Sequence, residues 1–556
     1  MPQNLLSAVK THQGILLLLF LSSLLFLTNI GSYGQLLRAE TNFSIGARMM
    51  VETQKFLLPH APHEQALNKP PLQNWLIGLS YMIFGFSHGA SRVPSALCGL
   101  GVLILVYILG LRLRDQCVGL AASAMLATSY IFWSFSRLCM PDMLLTFCIT
   151  AALFCWILVL TDQTKHAHLF ALIGSGAVGI GFLAKGPVAI VMALLPICLE
   201  IMITRDLHIL KRLKFIQGSV VFLLVAAPYF LLVYVVDGVE PLQNFFIKEN
   251  LGRFAGSTYH TSSIMFVYEV SALLANFAPW TPLFLISLCS LGRWRKLDTL
   301  TQRQLRLLFL WVISPIVFFS LSSFKLDYYF LPAMPAVALI VAQCFLQEGV
   351  LPLWAKRGGF TISAVLLLVL LPFLVYFTAL IVKANFPNSS LAWLPHIIAI
   401  LTLLPGAWFA IRGRTYCAIL VFSSAIWAII FSSYFVLLPE YTRFQPAAML
   451  ATKVPTTSNV YIAGSAHEWM WDLALYLPTV QPVEALPAQN LNLQISNIFQ
   501  TTPGAVILMY DTEYRALRKV DSEIRVIAQA DAYKNNRLTI KSLSKPRYEQ
   551  LYLVTK

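Results

Sequence analysis

Long apolar stretches follow one another along most of this chain, separated by short polar loops. Each stretch holds about 20 residues with few charges, which is the length of helix that crosses the hydrocarbon core of a bilayer. We therefore predict a polytopic α-helical membrane protein with about thirteen spanning helices. The predicted spans lie near residues 14–31, 93–111, 117–135, 143–160, 168–184, 187–203, 218–236, 270–292, 305–323, 327–346, 359–382, 391–411 and 415–438.

The stretch 72–87 is also apolar, but it is short and is interrupted by two amides and a glycine. Cytoplasmic loops of membrane proteins are rich in Lys and Arg. If the N-terminus is cytoplasmic and 72–87 lies along the membrane surface, the Lys and Arg clusters fall in the inside loops. If 72–87 crosses, every later cluster moves outside. We therefore predict a surface helix at 72–87, a second amphipathic one near 40–56, and a long first outer loop over 32–92.

The composition becomes polar after Leu438. Strand-like runs at 459–463 and 505–510, with a helical stretch near 512–519, are typical of a small α/β domain. The charge argument places this domain on the outer side of the membrane. The predicted domains are a transmembrane domain over 1–438 and an extracytoplasmic α/β domain over 439–556.

The overall composition agrees with a membrane protein. The 556 residues are 58% hydrophobic and only 12% charged, whereas soluble proteins carry about 25% charged residues. The net charge of +15 does not indicate nucleic acid, because the basic residues form clusters between apolar spans. The nine cysteines lie mostly in apolar runs and lack the spacing of metal ligands or of a disulfide framework.

Charged residues at the outer ends of the predicted spans are the candidate site. Charges at membrane depth are costly and are candidates for function. Clustered cations can neutralise a phosphate, and a nearby carboxylate can act as a general base. Together with an apolar groove they suit group transfer from a lipid-phosphate donor, although a single Lys at a helix end can simply snorkel to the surface. The candidates are Glu40, Lys69, Asp142, Lys185 and Lys325, joined by Arg137 and Arg253.

The lysines of this set stand at broken backbone. Lys69 precedes two prolines, Lys185 precedes Gly-Pro, and Lys325 is followed by Pro332 and Pro335. Proline interrupts helices, and irregular backbone at membrane depth lines cavities. Two tyrosines after Lys325 are either interfacial aromatic residues or pocket residues. We assign Tyr328, Tyr329 and His260 to the substrate pocket.

The same residues, in order over about 14–346, resemble a known family. The pattern is similar to that of the polyprenyl-phosphate-sugar-dependent membrane glycosyltransferases, which include protein mannosyltransferases and lipid A aminoarabinose transferases. The matching pieces are Glu40, Lys69-Pro70-Pro71-Leu72, Trp75, Phe84-Gly85, Arg92-Val93-Pro94-Ser95-Ala96-Leu97, Arg137, Pro141-Asp142-Met143-Leu144, Phe182-Leu183-Ala184-Lys185-Gly186-Pro187, Asn250, Arg253-Phe254, Pro279-Trp280, Ser323, Lys325, Tyr329, Pro332 and Pro335.

The resemblance implies a C-type glycosyltransferase fold with its site on the outer face of a bacterial inner membrane. It implies a polyprenyl phosphate sugar as donor, Glu40 and Asp142 as catalytic carboxylates, and Lys69 as a ligand of the donor phosphate. Lys185, Lys325, Arg253 and Arg137 would assist Lys69. The acceptor would be a lipid, glycan or protein, with a lipopolysaccharide-type acceptor favoured. No redox cofactor is implied, and a divalent metal stays open.

Two positions depart from the family pattern. Many relatives have Asp-Glu where this chain has Ala39-Glu40, so Glu40 or Asp142 would have to act as the base here. Asn68 stands where some bacterial members have Glu, which puts a metal or aminosugar role of that Glu in doubt.

Three other functional interpretations of the sequence stay open. An ion-coupled transporter also uses broken helices and charges, but these lie near the midplane and often within inverted repeats. A lipid-linked oligosaccharide ligase would use the same face as a single-sugar transferase. A scaffold subunit predicts that the outer charges can be exchanged freely.

Overall fold

The computed structural model describes residues 2–32, 38–58, 67–256, 266–365, 394–442, 446–464, 466, 470–477, 483–487, 489–533 and 548–556. His260 and most of the predicted span 359–382 lie outside the described residues.

Helices dominate the first 442 residues, because backbone polar groups in lipid must be satisfied within the segment itself. The first helices are α1 (Pro2–Leu27), α2 (Arg38–Thr53), α3 (Leu72–Phe84), α4 (His88–Leu113), α5 (Gln116–Ala127), α6 (Tyr130–Phe135), α7 (Pro141–Leu160), α8 (Ala167–Lys185), α9 (Val188–Thr204), α10 (His208–Arg212) and α11 (Phe215–Asp237).

The second group of helices is more broken. It contains α12 (Glu240–Gln243), a π-helix (Asn244–Gly252), α13 (Arg253–Ala255), α14 (Val267–Asn276), α15 (Thr281–Cys289), α16 (Leu291–Trp294), α17 (Thr299–Ser320), a 3₁₀-helix (Asp327–Ala333), α18 (Met334–Leu346), α19 (described over 353–365), α20 (Leu394–Ile411) and α21 (Thr415–Thr442).

Within the described residues, six helical segments are long and apolar enough to cross a membrane: α4, α7, α8, α11, α17 and the continuous segment Asp327–Leu346. Shorter apolar helices lie at Gln13–Leu27, Gln116–Ala127, Val188–Thr204 and Thr415–Phe431. The predicted multi-pass helical class is confirmed. The segments α7 and Asp327–Leu346 are almost wholly enclosed by protein, which explains why α7 is apolar on all sides.

Two predicted spans are not continuous helices. The span 117–135 consists of α5 and α6, and the Thr128 hydroxyl at the break donates to the Ala124 carbonyl, 2.8 Å away. The span 270–292 consists of α14, α15 and α16, and Pro279 between the first two lacks an amide hydrogen. The prediction of one uninterrupted helix is therefore wrong at both places. The predicted helices near 40–56 and 72–87 are present as α2 and α3.

A five-stranded sheet follows the helices. Its strands are β1 (Val460–Ile462), β2 (Val483–Ala485), β3 (Val506–Tyr510), β4 (Arg525–Tyr533) and β5 (Tyr548–Thr555), in the order β2-β1-β3-β5-β4. Strand β1 is parallel to β2 and β3, whereas β5 is antiparallel to β3 and β4. Residues of β3 alternate between two hydrophobic layers, so both faces of the sheet are covered.

Short helices accompany the sheet: α22 (Ala447–Ala451), α23 (Met470–Tyr476), α24 (Leu491–Thr501) and α25 (Asp511–Arg518). The predicted strands and the predicted helix near 512–519 correspond to β1, β3 and α25, which confirms a small α/β unit. Helix α21 continues four residues beyond the predicted boundary at Leu438, and the exact division into domains stays a prediction.

Candidate active site

A cavity of about 540 Å³ opens at the end of the helical bundle where α7 begins and α8 ends. Side chains from the segment between α1 and α4, from the π-helix and from the 3₁₀-helix close its sides. The charged and amide residues that line it are Asn42, Asn68, Lys69, Asn74, Asp142, Lys185, Glu249, Asn250 and Arg253. Its apolar wall includes Val188, Val191, Phe246, Phe254, Phe318 and Phe319.

Asp142 and Lys185 form an ion pair inside the cavity. Asp142 lies in the first turn of α7, directly after Pro141, where the helix dipole favours a negative charge. Lys185 is the last residue of α8, and its Nζ donates a hydrogen bond to Asp142 Oδ1. The other carboxylate oxygen, Oδ2, is buried and has no hydrogen-bond partner among the described residues. Lys185 therefore holds one carboxylate oxygen of Asp142, a residue that lines the cavity, and the other oxygen is left without a hydrogen bond there.

The turn after Lys185 fixes the direction of that side chain. Gly186 has φ +80°, and a Cβ atom there would lie 2.5 Å from Phe245 Cζ, so glycine is required on both counts. The ammonium of Lys185 then lies 5.0 Å from the ring centroid of Tyr329 and 5.7 Å from that of Tyr328. Both predicted pocket tyrosines thus line the cavity and contact its cation.

A second charged group lies on the facing wall. Glu249 Oε2 is 2.5 Å from Arg253 Nη2 and 3.8 Å from Lys69 Nζ. Burial, followed by the nearby Arg253 guanidinium, lowers the pKa of Lys69 to about 8, although Glu249 opposes this shift. The sequence prediction included Lys69 and Arg253 but missed Glu249. The usable signal was its position four residues before Arg253, since residues at that spacing share a helix face.

Glu40 does not line the cavity, although its neighbour Ala39 does. Its side chain is 2% exposed and pairs with Arg92 through two contacts of 3.0 and 3.2 Å. The backbone N–H of Cys139 also donates to Glu40 Oε1 at 2.8 Å. Glu40 therefore ties α2 to α4 and to the loop that precedes α7.

Arg137 and Lys325 also point away from the cavity lining. Arg137 is buried and donates to the carbonyl of Leu25 and, at 2.8 Å, to that of Thr28, near the end of α1. Lys325 is buried with its Nζ 2.5 Å from Glu269 Oε1. Of the predicted charged residues, the structure thus brings Asp142, Lys69, Lys185 and Arg253 together at the cavity. It places Glu40, Arg137 and Lys325 behind the cavity.

No metal site is evident in the described part of the chain. Groups of three or more His, Cys, Asp or Glu side chains with the arrangement of metal ligands are absent from it. The cavity carboxylates Asp142 and Glu249 are instead each paired with cationic side chains.

The matched family model and the similar sequences name related kinds of glycosyltransferase. A model of the dolichyl-phosphate-mannose-protein mannosyltransferase family matches residues 68–231. An undecaprenyl phosphate-α-4-amino-4-deoxy-L-arabinose arabinosyl transferase of Pseudomonas fluorescens is 30% identical over 375 residues, covering 65% of each chain. The chain is a relative of the polyprenyl-phosphate-sugar-dependent membrane glycosyltransferases. The predicted family is therefore confirmed.

Further relatives match over different lengths. An aminoarabinose transferase of Proteus mirabilis is 28% identical over 309 residues, so the chain spans about half of that relative, 54%. An uncharacterised protein of Aquifex aeolicus is 28% identical over 70% of this chain and 75% of its own length.

The fold of this family is also shared. The crystal structure of ArnT from Cupriavidus metallidurans bound to undecaprenyl phosphate superimposes with a TM-score of 0.76 over 97% of both chains, at 18% sequence identity. This likeness confirms the predicted C-type glycosyltransferase fold.

Proposed function

We propose that this chain transfers a sugar from a polyprenyl phosphate sugar to an acceptor at the outer face of the membrane. The observation that carries the proposal is a cavity lined by Lys69, Lys185, Arg253 and Asp142, in which one oxygen of Asp142 has no hydrogen-bond partner among the described residues. The family names support it, because dolichyl phosphate and undecaprenyl phosphate are both polyprenyl phosphates.

The donor phosphate would lie between Lys69 and Arg253. Both side chains line the cavity, and a guanidinium and an ammonium are the groups that bind phosphate oxygens most strongly. The lipid tail would follow the apolar wall built by valine and phenylalanine side chains. The amide of Asn68, whose buried Oδ1 has no hydrogen-bond partner in the described structure, would bind a sugar hydroxyl.

The chemistry would be a single displacement. The acceptor hydroxyl or amine attacks the anomeric carbon, its proton passes to Asp142 Oδ2, and the bond from that carbon to the phosphate oxygen breaks. The electron pair stays on the phosphate, which leaves as a monoester stabilised by the cations. One displacement inverts the anomeric centre. Ala39, at the position of the family's Asp, has no group that could take the proton, and Glu40 is held by Arg92.

The acceptor and the orientation are part of this proposal. The sequence resemblance to lipid A aminoarabinose transferases supports a lipopolysaccharide-type lipid acceptor. The basic clusters between the spans support a cytoplasmic N-terminus and an extracytoplasmic sheet unit. The two ends of the bundle carry different ion pairs, and the cavity opens at one end. Asp142 and Lys185 lie at one end, whereas Asp162 pairs with Arg212 just beyond the opposite end of α7, about 30 Å away.

The decisive test is sugar transfer in membranes that contain Asp142→Asn. We expect transfer to fall about 10²–10⁴-fold, the usual contribution of a general base. Asp162→Asn is the matched control, because it removes a paired carboxylate at the other end of the same helix and should leave transfer unchanged. Radiolabelled donor lipids would also identify the acceptor from the labelled product.

Full transfer by folded Asp142→Asn protein would end this assignment of the base. Absence of transfer by the wild-type chain from every polyprenyl phosphate sugar would remove the glycosyltransferase proposal and favour uptake assays.

A further inference from the structure

We propose that Glu249 is an internal competitor of the donor phosphate, which occupies Lys69 and Arg253 in the empty site and drives release of the polyprenyl phosphate product. This inference rests on the proposed function, because it assumes that these two cations bind a lipid phosphate.

The position of Glu249 fits this role. Its side chain is 11% exposed and lines the cavity, as do both of its partners. Arg253 follows it on the same helical segment, whereas Lys69 comes from the first outer loop, 180 residues earlier. One carboxylate oxygen of Glu249, Oε2, lies within ion-pair distance of both cations, as an oxygen of a bound phosphate would. Glu249 therefore uses the same donor atoms that the phosphate would need.

The segment that carries Glu249 has an unusual backbone geometry. Asn244–Gly252 is a π-helix, a geometry that is rare in proteins and occurs frequently at functional sites. Among the described residues, Glu249 has ion pairs only with Lys69 and Arg253. Displacement by a phosphate would therefore break these two pairs and no other ion pair seen there.

The charges of donor and product differ in the direction needed for release. Three cations and two carboxylates line the cavity, which leaves one formal positive charge. The donor is a phosphodiester with one negative charge, so the occupied site is balanced. The product is a phosphate monoester with about −1.5 to −2 charges at pH 7. The additional charge is repelled by Glu249, which can then pair with Lys69 and Arg253 again.

Neutralising Glu249 should therefore tighten phosphate binding. The probe is undecaprenyl phosphate, and the measurement is its Kd for purified full-length protein in nanodiscs at pH 6.5, where Lys69 is protonated. The groups that face Lys69 are Glu249, Arg253, Lys185 and Asp142. For Glu249→Gln we expect the Kd to fall about tenfold, together with the inhibition constant of added undecaprenyl phosphate, because one like-charge interaction at short range is removed.

Asp511→Asn is the matched control. It removes the acid of another pair at i and i+4, Asp511 with Arg515 on α25, where the distance is 2.8 Å. We expect no change in either constant. Glu249→Asp keeps the charge but withdraws it from the cations, so it should shift the Kd in the same direction by a smaller factor, and it serves if the Gln variant does not fold.

Unchanged or weaker binding of undecaprenyl phosphate by the Glu249 variants would overturn the inference and leave Glu249 as a support for the two cations. That outcome is distinct from failure of the proposed function, in which the wild-type protein neither binds undecaprenyl phosphate nor transfers a sugar.

Discussion

The ion pairs that line the cavity and the ion pairs buried behind it use the same residue types at the same end of the molecule. In the cavity, the side chains of Lys185 and Glu249 are 15% and 11% exposed. Behind it, those of Glu40 and Glu269 are 2% and 0% exposed. Charged residues at this end of the bundle therefore indicate where the site lies. Whether a charged residue lines the cavity then distinguishes residues that could contact a substrate from residues that hold the structure together.

Glu40 and Asp142 also differ in how completely their hydrogen bonds are satisfied. Glu40 accepts from Arg92 twice and from the Cys139 backbone. Asp142 accepts from Lys185 on one oxygen only and leaves the other open. A buried charge must be fully paired because its desolvation is costly, whereas a reacting group needs an unoccupied lone pair. We therefore expect the Glu40–Arg92 pair to govern stability and Asp142 to govern turnover.

The largest effect should come from breaking the Glu40–Arg92 pair. Glu40→Gln or Arg92→Ala leaves its partner buried without a counter-charge, which costs about 3–5 kcal/mol. We expect a lower folded yield and a lower midpoint of thermal unfolding in detergent. Asp142→Asn, which changes a cavity-lining carboxylate, should unfold close to the wild type.

This distinction between structural and catalytic carboxylates would be wrong if Glu40→Gln were as stable as the wild type but lost turnover selectively. Glu40 would then be a catalytic acid, as the family resemblance implies, and the buried pair would not be purely structural.

Much of this fold could be predicted from the sequence. Apolar runs of membrane-spanning length predicted the helices, and short strand-like runs predicted β1 and β3. The helix breaks after Ala127 and Asn276 were missed because the few polar residues at each break lie between apolar runs, and the hydropathy of a stretch of spanning length averages over them.

The sequence predicted which end of the helices carries the site, but it did not predict which charged residues form ion pairs with each other. Charges at helix ends correctly indicated that Asp142, Lys185, Lys69 and Arg253 would meet. Glu40, Arg137 and Lys325 lie behind the cavity because they bind residues that are distant in the sequence. Glu40 lies 52 residues from Arg92, and Lys325 lies 56 residues from Glu269. No local pattern encodes such a pairing, since it arises only when the helices pack.

A smaller effect should follow from Arg48, a buried cation that joins the helical bundle to the sheet unit. Arg48 of α2 donates to the carbonyls of Ala474, Leu475 and Leu477, at 3.0, 2.7 and 2.5 Å, at the end of α23. Hydrogen bonds from a charged donor contribute about 1.5–3 kcal/mol each and are not additive. We expect Arg48→Ala to destabilise the docking of α23 by about 2–3 kcal/mol.

Amide hydrogen exchange of α23 is the measurement for Arg48→Ala, because local opening raises exchange there before global unfolding. The KM for donor should also rise, since α2 carries Asn42 and Phe43 into the cavity lining. Arg48→Lys keeps the charge but not the planar set of donors, and should recover only part of the protection. Unchanged exchange in Arg48→Ala would place the docking energy elsewhere.

The smallest predicted effect is confined to the pH dependence of Lys69, the cavity cation whose pKa is lowered to about 8. Below pH 8 the free enzyme keeps the ammonium charged, and above it the charge is lost. The kcat/KM for donor should therefore fall about tenfold per pH unit above pH 8, because this parameter reports groups of the free enzyme. In Lys69→Arg this alkaline limb should disappear, since a guanidinium stays charged throughout that range. An alkaline limb that persists in Lys69→Arg would assign it to another group, and Lys69 would then join the buried cations whose role is support.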